Sequence, residues 1–286
     1  MRTLKTGFLL VTLTLMLVYG GRLLAGPQGM TFGLIMAIVM NGGAYFFSDK
    51  IALRSSGAVP VTREQAPKLY AVMERLAAKG NLPMPKLYVI PQQAPNAFAT
   101  GRNPKHASVA ATEGLLELMN DDELEGVIAH ELSHVRNYDI LTTSIAATLA
   151  GALVWLANIA QWGMIFGGYG GGGRDDRRGG ALGAIAMIVI APIAATLVQL
   201  GISRQREFAA DAAGARLVGH PYGLISALEK LGAYNQRIPM TNVSPSTASL
   251  YIVTPRTPGQ MLANLFSTHP PLAERIEALR NMAIAH

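Results

Sequence analysis

The chain has 286 residues, of which 50% are hydrophobic and only 15% charged, with 24 Lys and Arg against 18 Asp and Glu for a formal net charge of +6. That balance is too apolar for an ordinary soluble domain, and with no basic stripe interleaved with aromatics it excludes nucleic acid as a partner and points to the lipid bilayer. Cysteine is absent, which excludes both a disulfide framework and thiolate metal ligands.

Gly7 to Ala25 and Phe32 to Phe47 are apolar runs separated by Gly26-Pro27-Gln28-Gly29. Each approaches the length needed to cross a hydrocarbon core of roughly 30 Å, Phe32 to Phe47 only marginally. Arg2 and Lys5 precede the first run as they would in a secretory signal. Arg22 at its far end, the lack of a small-x-small cleavage site and the second apolar run identify it instead as a retained hairpin. Next, Thr62 to Lys79 reads as an amphipathic helix with Pro67 near its start and Gly80-Asn81 closing it. Lys86 to Ile90 and Ser108 to Ala111 read as short strands, limited by Pro83, Pro85, Pro91 and Pro104, and imply a small sheet.

Asn120-Asp121-Asp122-Glu123 supplies an N-cap, an acid three positions later and negative charge for the positive end of a helix dipole. Leu124, Val127, Ile128, Leu132 and Val135 then recur at helical spacing. On that helix lies His130-Glu131-Leu132-Ser133-His134, an H-E-x-x-H motif. Residues four apart share a helix face, so both imidazoles can reach one tetrahedral zinc ion while Glu131 lies close enough to act on a metal-activated water. The plain alternative is a helix whose histidines and glutamate are surface or packing groups.

Ile140 to Phe166 and Ala181 to Ile202 form a second pair of apolar runs around a glycine-rich, low-complexity loop, 167–180. Lys and Arg are dense from Lys50 to Arg136 and from Arg204 to Arg280, and together with Arg2 and Lys5 they place the polar stretches in the cytoplasm by the positive-inside rule. Arg174, Arg177 and Arg178 in the loop pull weakly the other way. A catalytic zinc needs a third protein ligand, for which Glu207 is the best placed, with Asp211 four residues on to orient a ligating imidazole. The spacing is equally compatible with Glu207 pairing with Arg204 on a solvated surface. Pro239 to Gly259 reads as linker with Leu250 to Val253 ordered, and Leu272, Ile276 and Leu279 mark a final helix. His269, ahead of Pro270 and Pro271, has the context of a capping residue, while His106, His220 and His286 read as surface residues.

Four motifs in order, Asn96-Ala97-Phe98, His130-Glu131-x-x-His134, Glu207-Phe208-x-x-Asp211 and Ser267-Thr268-His269-Pro270-Pro271, together with two flanking hairpins, resemble the HtpX-type membrane zinc endopeptidases, relatives of the eukaryotic CAAX prenyl endopeptidases. The resemblance implies one zinc ion per chain bound by His130, His134 and Glu207, with Glu131 as general base and acid. It also implies a peptide-binding edge at Asn96, Ala97 and Phe98, an oxyanion role for His269 with Arg275 beside it, and work in protein quality control at a bacterial inner membrane.

The expected fold is thus mainly α, an α+β zincin-type catalytic domain with a small sheet, interrupted by two transmembrane hairpins. Its divisions are an N-terminal hairpin (1–48), a cytoplasmic catalytic part with the motif helix (49–139), a second hairpin (140–203) and a catalytic part with the third ligand (204–286). The expected function is hydrolysis of misfolded or damaged membrane proteins by metal-activated water, at a site facing the cytoplasm. A dedicated processing protease for one membrane or lipid-modified substrate is an alternative. A silent zinc-stabilised scaffold is another, disfavoured because a structural site has no need of Glu131.

Overall fold

Helix α1 (Arg2–Ser55) reverses direction once. In this computed structural model, which describes residues 2–167, 204–235, 250–253 and 270–282, Gly26 takes a φ of 61°. That left-handed conformation costs a residue with a Cβ about 1–2 kcal/mol, and the ring of Pro27 then presets the first turn of the return arm. The arms touch: a Cβ on Gly21 would lie 2.1 Å from the Gly29 carbonyl oxygen, and one on Gly33 2.2 Å from that of Leu17. The Asn41 amide donates to Thr14 Oγ1 at 2.9 Å and to the Leu10 carbonyl at 3.2 Å.

The return arm, Gly26–Ser55, is long and apolar enough to cross a membrane. It turns Phe32, Ile35, Ile38, Val39, Phe46 and Phe47 outward. The arm runs past the apolar stretch that ends at Phe47, so the division at 48 falls inside a helix, and Ala52 and Leu53 pack with Ile90, Phe98 and Tyr251. Helix α5 (Asp139–Gly167) lies against both arms: Leu13 and Ala44 pack with Ile145, Ala146 and Leu149, and Thr6 and Thr142 share a buried 2.9 Å hydrogen bond. The apolar run Ala181 to Ile202, most of the glycine-rich loop and of Pro239 to Gly259, and both His269 and His286 lie outside the described residues.

The sheet has the order β1-β2-β4-β3, with β1 Val59–Pro60, β2 Lys86–Ile90, β3 Ala97–Gly101 and β4 Ala107–Thr112. β2 and β4 are parallel, with Leu87 opposite Val109, and the outer pairs are antiparallel. Among the described residues, β3 therefore has one edge with no strand paired to it. Helix α2 (Pro67–Lys79) starts at the proline, later than the amphipathic pattern from Thr62, because a first-turn proline has no N–H to leave unpaired. The short α3 (Glu113–Leu118) leads into α4 (Asp121–Arg136), followed after α5 by α6 (Arg204–Val218), α7 (Tyr222–Asn235) and α8 (Leu272–Arg280). Leu69, Met73 and Leu76 of α2, Val109 of β4, Val127 and Ile128 of α4 and Leu228 of α7 meet in one core.

Candidate metal centre

Helix α4 begins as its sequence dictates. The Asn120 side chain accepts from the Glu123 N–H and Glu123 accepts from the Asn120 N–H, both at 2.9 Å, closing the capping box. Ser226 and Lys230 of α7 then donate to the Glu123 carboxylate at 2.6 and 2.7 Å, fixing the start of α4 to α7. From that start, His130 and His134 fall one turn apart with their Nε2 atoms 3.2 Å from each other.

Glu207 completes a triangle of donors. Its Oε1 lies 3.5 Å from His134 Nε2 and its Oε2 3.7 Å from His130 Nε2. A tetrahedral zinc with ligands at about 2.0–2.2 Å has ligand-to-ligand edges of about 3.3–3.6 Å, so the three residues fit one zinc ion. They are the group suited to holding a metal among the described residues. Both His130 and Glu207 are buried, whereas the His134 side chain keeps 15% exposure and marks the side open to solvent.

Helix α6 reaches α4 because its inner face is small where it must be. Glu207, Asp211 and Gly214 are buried along one face of α6. A Cβ on Gly214 would come within 2.9 Å of the His130 backbone nitrogen. Glycine at that position lets the backbones approach closely enough for Glu207, two turns earlier, to meet both imidazoles. The alternative of a solvated Glu207 does not hold, since the residue is 4% exposed.

Each histidine has a carboxylate behind it. His130 Nδ1 lies 2.8 Å from Asp211 Oδ1, the arrangement expected from the four-residue spacing. Asp211 is held in turn by Arg275 of α8, whose Nε and NH2 groups donate to its two oxygens at 2.8 and 2.6 Å, while NH1 donates to the Ile252 carbonyl at 3.0 Å. Burial would raise the Asp211 pKa, but the Arg275 guanidinium and His130 override it and bring it down to about 2. This corrects the expectation that Arg275 faces substrate: it is 0% exposed, with its guanidinium committed to Asp211 and Ile252. The other carboxylate is Asp139 at the head of α5, which the sequence alone does not single out. Its Oδ2 lies 3.5 Å from His134 Nδ1 and its Oδ1 3.3 Å from Arg206 NH1. An aspartate five residues after the second motif histidine was the available signal.

Burial pushes the Glu131 carboxyl above its ordinary pKa, opposed by the two imidazoles. The Ala99 N–H also pulls in the lowering direction, so the base candidate sits beside the edge of β3. Burial alone would lower the His134 pKa, yet Glu207, Asp139 and Glu131 push it up to about 9. A cup that favours a proton so strongly favours a metal cation for the same electrostatic reason.

The Asn96-Ala97-Phe98 expectation is modified. Ala97 and Phe98 do lie on the edge strand, but the Ala97 carbonyl accepts from the Ile252 N–H at 2.9 Å and Asn96 Nδ2 donates to the Val253 carbonyl at 2.7 Å. Phe98 packs its ring edge-on to Tyr251 at 5.0 Å. Residues 251–253 therefore cover this end of the edge, and Asn96, 1% exposed, supports that segment and does not face a peptide.

The sequence profile of peptidase family M48 matches residues 63–283, the stretch that contains every group just described. A "Protease HtpX homolog" of Desulfatibacillum aliphaticivorans is 56% identical over 276 residues, covering 96% of this chain and 88% of that protein. One of the same description from Syntrophotalea carbinolica is 52% identical, covering 99% and 100%, and one from Thermococcus sibiricus is 48% identical, covering 98% and 96%. Among solved structures, the crystal structure of S. mikatae Ste24p superposes with a TM-score of 0.50 at 22% identity. That match covers 86% of this chain but 57% of the Ste24p chain, and it speaks to the fold alone. A buried His-His-Glu donor set, an acid beside it, a helix able to cross a membrane and a match spanning most of the sequence thus converge, and the chain belongs to peptidase family M48 as a membrane metalloprotease that uses zinc.

Proposed function

We propose that the protein is a multi-pass endopeptidase of a bacterial inner membrane that removes misfolded or damaged membrane proteins at a site facing the cytoplasm. The observation that carries the chemistry is the donor triangle of His130, His134 and Glu207 beside a buried carboxyl that is not one of its corners. A site built to hold metal for structure alone has no use for that carboxyl. Held by His130, His134 and Glu207, a zinc ion would supply a Lewis acid for the scissile carbonyl and would lower the pKa of a water. Glu131 takes the water's proton and delivers it to the leaving amine, a role for which a pKa raised by burial suits it.

The edge of β3 at Ala99, beside Glu131, is the place for an extended peptide to add as a strand, with main-chain hydrogen bonds that ask little of the substrate's sequence. His269 donates to the developing oxyanion. The two-armed α1 and α5 with its return run form two transmembrane hairpins, supported by the outward apolar face of Gly26–Ser55 and by the Lys/Arg-rich stretches that share one side. The test is zinc analysis and casein cleavage by the full chain purified in detergent, with and without Glu131→Gln. Stoichiometric zinc in both proteins, with cleavage in the wild type alone, is expected. Loss of zinc in Glu131→Gln, or cleavage that survives it, would overturn the assignment.

A further inference from the structure

Each of the two motif histidines is backed by an aspartate that is itself held by an arginine, closely at His130 and more loosely at His134. One relay runs His130, Asp211, Arg275, with contacts of 2.8 and 2.6 Å. The other runs His134, Asp139, Arg206, with contacts of 3.5 and 3.3 Å. We infer that Asp139, backed by Arg206, is a positioning residue for His134: it holds Nδ1–H so that Nε2 points at the metal position, and it ties the membrane helix α5 to the zinc site. The inference rests on the zinc reading above and extends it to two residues that reading does not use.

Three observations carry it. Asp139 is 4% exposed, and a carboxylate is rarely taken out of water without partners, here an imidazole and a guanidinium. The turn that delivers it is strained: Tyr138, between α4 and α5, adopts a φ of 59°. A bulky side chain in the left-handed region costs of order 1–3 kcal/mol and persists only where the surroundings demand it. Without that turn α4 would run on and carry position 139 away from His134, which lies five residues back. Third, Arg206 immediately precedes Glu207, so its hold on Asp139 fixes the head of α5 to the first turn of the helix that bears the third donor. A histidine ligand needs its second nitrogen engaged to set tautomer and ring orientation, and no other carboxylate among the described residues approaches His134 Nδ1.

The experiment measures zinc affinity by chelator competition on the full chain in detergent, for wild type, Asp139→Asn and Asp139→Leu, with the visible spectrum of the cobalt-substituted proteins and thermal unfolding on the same preparations. Removal of such a partner lowers metal affinity about 10–100-fold. Asp139→Leu should fall in that range with a shifted cobalt spectrum, and Asp139→Asn, which keeps an acceptor but no charge, should lie between it and wild type. Because the asparagine is nearly isosteric, its folding is expected to survive even if the leucine variant's does not. Wild-type zinc affinity and an unchanged cobalt spectrum in Asp139→Asn and in folded Asp139→Leu would overturn the inference while leaving the zinc reading intact. Wild-type protein that takes up no zinc would overturn both.

Discussion

Arg275→Met separates a buried clamp from a group that stabilises the reaction. The substitution keeps most of the stem's packing and removes the contacts at 2.6 and 2.8 Å to Asp211 and the one at 3.0 Å to the Ile252 carbonyl. Asp211, 2% exposed, is then left with His130 as its remaining partner in this network. Breaking one side of a buried ion pair costs about 3–5 kcal/mol, a large share of the roughly 5–15 kcal/mol that holds a typical domain together. At about 2–4 °C per kcal/mol for a chain of this size class, Tm in detergent should drop by about 6–20 °C. Zinc affinity should fall about 10–100-fold, since Asp211 orients His130. The loss is relieved in part by Asp211→Asn in the same chain, because the stranded charge is then gone, and the two substitutions are therefore far from additive. Calorimetry or scanning fluorimetry with and without zinc, together with chelator competition, reads both quantities. A variant with wild-type Tm and zinc affinity but kcat reduced about 10²–10³-fold would refute this reasoning and restore Arg275 to the oxyanion.

Glu207→Ala should leave the apolar arm Gly26–Ser55 inserted but reduce the zinc content of purified protein to near background, measured by atomic absorption; full zinc content would remove Glu207 from the donor set. Gly214→Ala deletes no ligand, yet its methyl would sit 2.9 Å from the His130 nitrogen. Forcing α6 off α4 should cost about 1–3 kcal/mol and weaken zinc binding measurably, whereas an unchanged affinity would mean that α6 does not set the donor spacing. Reporters fused at the amino terminus, after Ala78 and at the carboxy terminus should all signal from the cytoplasm, and a periplasmic signal from the carboxy terminus alone would mean an odd number of crossings.

The parts of the site that are local in sequence were legible. The α4 start follows from Asn120 and Glu123 forming the reciprocal cap that the sequence spells out, and from apolar residues recurring on one face. His130 and His134 had to share a face once the helix was granted, and Asp211 had to share one with Glu207 for the same reason. Strand β3 was not legible from the residues alone: Ala97 to Gly101 mixes small residues with one aromatic and carries no alternation, since all five residues are buried. Nor was the short β1, whose Pro60 speaks against a strand anywhere except at an edge. Helix α7 carries apolar spacing from Leu224 to Leu231, but its hold on Glu123 runs through Ser226 and Lys230, which no local pattern marks.

The residues misjudged or missed are those whose role depends on a distance between elements. Arg275 looks like any charged residue on a short helix, and only the packing of α8 buries it against Asp211. Asp139 reads as the N-terminal acid of a membrane helix, and only the left-handed turn at Tyr138 brings it back to His134. Gly214 carries no chemistry at all, yet it sets how near Glu207 comes to the histidines. The ligand pair lies before α5 and the third donor on α6, beyond the stretch that holds the second pair of apolar runs. The 3.5 and 3.7 Å distances from Glu207 to the two histidines therefore depend on the close seating of α6 on α4. A disturbance that moves α5 against α1 acts on the same geometry through Asp139, so perturbing the helix pair should register first as a loss of metal affinity, before any ligand is touched.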